Sequence, residues 1–354
     1  MSDIPVLPGI TSTMVDTPRL RQHVLSCGPE GGEAIVFIHG NFSAATYWEE
    51  LMLQLCERGY RCIAPDLRGY GWTEDVLIDS TRGYRDWADD VYALLQTLGV
   101  ARAHLVGWSM GGGVVYRLIA DHPELIVTVT LQAPVSPYGF GGTKDLDGSE
   151  CFDDAAGSGG GVVNGDFVER IRNQDRSGDS PNSPRNIINA FYYKPGFTAA
   201  REEDFLTAAL QEKVGADRYP GDFAPAANWP GVGPGVHGPV NCWSPKYLRN
   251  EAAELLAARP KPPILWIRGD HDMIVSNNSM FDLATLGKLG YVPGYPGEEV
   301  MPPQPMIDQT RAVLEQYAAQ GGAYEEVLLT DTAHSPHIEK PDEWLSAFLR
   351  HIQR

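Results

Sequence analysis

The segment 103–121 constrains the fold more than any other. Ala103–Val106 reads as a strand. It passes directly into Gly107-Trp108-Ser109-Met110-Gly111, and Gly111–Asp121 then carries helical spacing. A strand that turns this sharply into a helix strains the residue at its apex. The positions two before and two after that residue then have no room for a Cβ. The turn lifts a serine hydroxyl above the sheet at a helix N-terminus, where the dipole and free N–H groups favour negative charge. Ser109 therefore reads as a nucleophile, against the plainer alternative of an ordinary strand-to-helix turn.

The surrounding chain keeps an α/β rhythm. Residues 12–26 alternate as a hairpin, and Ala34–Ile38 is a buried strand ending at His39-Gly40. Thr46–Arg58 has helical spacing, Arg61–Ala64 is a strand, Tyr84–Leu98 is an amphipathic helix and Val127–Leu131 is a strand. Strands and helices that alternate in this way predict a parallel sheet with helices on both faces. The rhythm returns late, with strands at Ile264–Ile267 and Tyr324–Leu329 and helices at Met306–Gln320 and from Pro341 onward. Between them, residues 134–250 are rich in Gly, Pro and aromatics. A long excursion of this kind predicts a lid or binding segment. The expected organisation is a core of 1–133 and 251–354 carrying a cap at 134–250; an ordinary structural excursion is the alternative.

A serine hydroxyl needs a base to take its proton. His334, just past the last strand, fits better than its neighbour His337; His39, at another strand end, is expected to shape a loop. The histidine in turn needs an acid, which on this architecture falls between serine and histidine in the chain. Asp272 is favoured because Met273-Ile274-Val275 can dock its loop onto the core, while Asp270 is suited to pinning the turn. A metal held by Asp270, His271 and Asp272 is disfavoured, because adjacent residues rarely converge on one ion. The amides of Met110 and Asn41, or Phe42 in place of Asn41, are the candidate donors to an oxyanion. Phe42 and Trp108 are the candidate walls of the acyl pocket.

The chain of 354 residues has a formal charge of −18, which argues against nucleic acid and anionic membrane surfaces as partners. Five cysteines without a CxxC pair suggest neither a disulfide framework nor a zinc site. The N-terminus has no basic segment followed by an apolar one, so the expected compartment is the cytoplasm. A homo-oligomer is compatible with the sequence.

Taken in order, His39-Gly40-Asn41, residues 66–73 (DLRGYGWT), 107–112 (GWSMGG), 269–275 (GDHDMIV) and 333–344 (AHSPHIEKPDEW) resemble the α/β-hydrolase superfamily. The resemblance implies an eight-stranded, mostly parallel sheet, a Ser109–Asp272–His334 triad, an acyl-enzyme mechanism and no cofactor. HGN is also similar to haloalkane dehalogenases, where the Asn helps hold halide. Those enzymes and epoxide hydrolases use an aspartate where this chain has Ser109, and the HGGPG of proline iminopeptidases is absent. The expectation is hydrolysis of a small-molecule carboxylic ester or lactone, bulky and apolar or aromatic. The rivals are a β-diketone carbon–carbon hydrolase, a cofactor-free perhydrolase and a non-enzymatic ligand receptor.

Overall fold

The computed structural model of the chain describes residues 4–353. Its centre is an eight-stranded sheet formed by β1 (Thr11–Asp16), β2 (Arg21–Cys27), β3 (Ala34–Ile38), β4 (Arg61–Pro65), β5 (Ala103–Trp108), β6 (Ile126–Gln132), β7 (Ile264–Gly269) and β8 (Tyr324–Leu329). The strands lie in the order β1-β2-β4-β3-β5-β6-β7-β8. Pairing is antiparallel at β1/β2 and β2/β4 and parallel from β4 to β8. Every residue of β3 and β5 is buried, which is why β3 reads as a continuous apolar run rather than an alternating one. β8 is an edge strand, partly exposed, and it carries a charge: Glu326 pairs with Arg268 and Arg311.

Helices cover both faces. α2 (Arg85–Thr97), α3 (Met110–Asp121), the helix Glu251–Ala257 and the long helix Met306–Ala319 pack in succession on one side. α1 (Glu49–Cys56) lies against β2 and β4 and the C-terminal helix Pro341–Ile352 against β6, β7 and β8, with Trp48 and Trp344 at 6.4 Å between rings. Trp48, Trp87, Trp108, Trp266 and Trp344 are all fully buried, so large aromatics set the spacing of the layers.

Residues 134–250 add no strand to the main sheet. They form two small hairpins (Thr143–Lys144 with Ser149–Glu150, Phe223–Pro225 with Val232–Pro234) and short helices, including Gly165–Arg172 and Glu202–Ala209. Ile188–Tyr192 is a π-turn.

The cysteine expectation is corrected. Cys27 at the end of β2 is bonded to Cys56 at the end of α1. The pair comes from a non-repeating spacing of 29 residues, and only the packing of α1 over β2 brings it together. Among the described residues no helix is long and apolar enough to cross a membrane.

Candidate active site

The register of the sheet brings five strand ends to one edge. Ile38 lies beside Gly107, Trp108 beside Gln132, Ile267 beside Gln132, and Gly269 beside Leu329. The loops leaving these ends hold Asn41, Ser109, Asp272 and His334. In open α/β sheets this carboxyl edge is where ligands bind.

Ser109 adopts φ 56° and ψ −119°, a conformation costing a non-glycine residue on the order of 1–3 kcal/mol. Both flanking glycines are required by contact. A Cβ on Gly107 would stand 2.5 Å from the Gly111 carbonyl oxygen, and one on Gly111 would stand 2.4 Å from that of Ile38. The turn is anchored by the Ser109 amide donating to Gln132 O at 2.9 Å and by the Val135 amide donating to Ser109 O at 3.1 Å. Ser109 itself remains partly accessible amid buried neighbours.

His334 is 2% exposed, and its Nδ1 lies 2.8 Å from Asp272 Oδ2. An ionised carboxylate only accepts, so Nδ1 carries the proton and Nε2 is left to accept another. The other oxygen of Asp272 accepts from the amides of Ile274 (2.8 Å) and Val275 (3.0 Å), so the loop that follows the acid orients it. Asp270 instead accepts from the Thr332 amide at 3.3 Å and pins the turn. The His334 loop is fastened three ways: Glu339 accepts from Ala333 N, Trp108 Nε1 donates to His334 O, both at 2.8 Å, and Ser335 N donates to Tyr192 O at 3.0 Å.

His337 lies outside this constellation. It packs against Trp48 with the rings tilted and their centroids 4.4 Å apart, its Nδ1 accepts from Gln132 Nε2 at 2.7 Å, and burial pushes its pKa down to about 3. His39 shapes the neighbouring loop: its Nδ1 lies 2.7 Å from Gly40 O, and its Nε2 accepts from the Leu67 amide at 2.9 Å. Gly40 passes so close that a Cβ there would be 3.0 Å from that of Ser109.

Ser109, His334, Asn41, Phe42 and Met110 all face one cavity of about 290 Å³. The amides of Asn41, Phe42 and Met110 have no acceptor among the described residues. Trp108 is corrected: it does not line the cavity but is buried beneath it, packed on Tyr47, Trp48 and Tyr192. Phe42 does line it, with φ 48°. The remaining wall is drawn from 134–250 (Phe140, Phe167, Phe191, Trp243) and from a second excursion after β7 (Ile274, Phe281, Leu286). Asp270, His271 and Asp272 do not form a group close enough for a metal; the one such group among the described residues, Cys27, Cys56 and Cys62, has two of its sulfurs joined in the disulfide.

Two tyrosines that no motif singled out as site residues hold the 39–42 loop. Tyr70 donates to Asn41 Oδ1 at 2.9 Å, and Tyr192 donates to the carbonyls of Asn41 (2.7 Å) and Phe42 (3.2 Å). Tyr70 lies within the 66–73 segment and was findable there. Tyr192 sits in a π-turn of an aromatic stretch without any such signal.

Residues 33–158 match a family model described as the alpha/beta hydrolase fold. That match includes Ser109 and the 39–42 loop but ends before Asp272 and His334. A 2-hydroxy-6-oxo-6-phenylhexa-2,4-dienoate hydrolase of Comamonas testosteroni is 34% identical over 106 residues, 29% of this chain and 37% of that one. Epoxide hydrolase 2 of Siraitia grosvenorii is 32% identical over 117 residues, 33% of this chain and 36% of that one. These alignments thus span little more than a third of each relative's length. An esterase structure from Exiguobacterium antarcticum superposes with a TM-score of 0.58 at 14% identity, covering 97% of this chain and all of that one. By sheet topology, by the family model over residues 33–158 and by structural likeness, the chain has the α/β-hydrolase fold.

Proposed function

We propose that the protein is a serine hydrolase of carboxylic esters or lactones, acting on a bulky apolar or aromatic substrate. One observation carries the reading: a strained, partly accessible Ser109 shares a cavity with a histidine whose far nitrogen is held by Asp272 at 2.8 Å. Ser109 Oγ attacks the carbonyl while His334 Nε2 takes its proton. The amides of Met110 and Asn41, or Phe42, receive the negative charge that develops on the carbonyl oxygen. His334 returns the proton to the leaving alcohol. Water then attacks the acyl-enzyme by the same route and releases the acid. Asp272 stabilises the imidazolium in both halves. The cap role of 134–250 is part of this reading, because that segment supplies much of the apolar wall.

Turnover of p-nitrophenyl esters, compared with Ser109→Ala, tests it. Ester cleavage that disappears in the variant is expected; equal rates from both proteins would end the reading. Carbon–carbon hydrolysis would use the same side chains, and the dienoate hydrolase relative favours it as the second reading. Product analysis with a β-diketone separates the two.

A further inference from the structure

Among the described residues the cavity wall contains no Lys, Arg, Asp or Glu, and His334 is its one basic side chain. Apart from the candidate catalytic and oxyanion groups, its polar members are Asn164, Asn182, Tyr192 and Tyr219. Burial pushes both tyrosine hydroxyls well above their usual range, so they stay neutral. The most exposed part of the lining is also uncharged: Asn164 is exposed, and Phe281, 38% exposed, meets Phe191 edge-on at 4.8 Å.

Cations do occur on the elements that build the wall, but four of them are tied to carboxylates, and Lys213, beside the Tyr219 segment, donates to the carbonyls of Gly71 and Gln211. Arg170 pairs with Asp166, Asp175 and Asp179, Arg185 with Glu202 and Glu203, Lys194 with Asp331, and Lys288 with Glu298. A carboxylate entering the cavity would lose its water and find no counter-charge. It would also approach a chain of net charge −18.

Resting on the ester-hydrolase reading, we propose that the substrate is uncharged at both ends: an ester or lactone whose acyl and alcohol parts are neutral and apolar or aromatic. Esters bearing a free carboxylate are excluded, including half-esters of dicarboxylic acids.

The test is a matched pair at pH 7.5, p-nitrophenyl methyl suberate and p-nitrophenyl hydrogen suberate, which share a reacting ester and chain length and differ in one terminal charge. The expected kcat/KM ratio is roughly 100-fold or more in favour of the neutral ester, the scale of an unpaired charge withdrawn from water. A ratio under about 10-fold overturns the proposal, and a larger one supports it. If neither ester turns over, it is the hydrolase reading that fails. The charge proposal is then decided by calorimetric binding of the corresponding methyl ketones, neutral against carboxylate-ended, with the same ratio required of their affinities.

Discussion

Replacing Tyr192 with Phe removes one oxygen and keeps the ring that faces Trp108 at 5.5 Å and His334 at 5.9 Å. That oxygen donates to two carbonyls, Asn41 O and Phe42 O, in the loop whose amides are the candidate oxyanion donors. A net hydrogen bond is worth about 0.5–1.5 kcal/mol, and one hydroxyl proton is shared between two acceptors, so the stability loss should be about 0.5–1.5 kcal/mol. The effect on rate follows from what the loop does. Losing an oxyanion donor outright costs about 10²–10³ in kcat, and a loosened loop misplaces the donor without deleting it, so kcat should fall by roughly 5- to 100-fold. Substrate binding relies on the apolar wall, which is intact, so KM should change by less than about threefold. The assay is steady-state kinetics on a neutral aryl ester, with thermal melting and the affinity of an aryl boronic acid measured in parallel. Boronate affinity should fall with kcat, because both depend on the oxyanion amides. An unchanged kcat with a lowered melting temperature would refute the reasoning and leave Tyr192 a packing residue.

Asp272→Asn should fold, since Asn can still accept from the Ile274 and Val275 amides, yet lose about 10⁴ in kcat because His334 would be held in the wrong tautomer; rate measurements beside a circular dichroism spectrum check both halves. Burial keeps His337 neutral down to about pH 3, whereas the unfolded histidine takes up a proton near 6.5. The unfolded state then binds more protons, so stability should fall as pH drops from about 6.5 toward 3, by up to about 1.4 kcal/mol per unit, and urea melts of His337→Gln should show a shallower dependence. Cys56→Ser opens a cross-link between residues 29 apart, an expected loss of about 3–4 kcal/mol by the chain-entropy relation, read as a lower denaturation midpoint that reductant reproduces in the wild type.

Much of this architecture was legible because each buried strand of a parallel sheet is a short apolar run and each helix carries its own period. The strands read at 34–38, 103–106 and 264–267 mark β3, β5 and β7. The candidate site was legible where chemistry is tied to strand ends, as at Ser109, Asp272 and His334. Failures came where three-dimensional packing decides. Trp108 follows the strand into the sheet and points beneath the cavity, because its indole N–H donates to His334 O. The Cys27–Cys56 bond depends on α1 lying over β2, which no spacing rule encodes. Tyr192 acts across 150 residues of chain on the Phe42 carbonyl, a contact that no local pattern announces.

The central claim is that Ser109 is an activated nucleophile. Its most direct measurement is the mass of the protein and its peptides after exposure to a fluorophosphonate. One adduct per chain, carried on the peptide containing Ser109, lost in Ser109→Ala and formed far more slowly in His334→Ala, is the result the geometry requires. Labelling of another residue, or equal labelling of the wild type and Ser109→Ala, would contradict it.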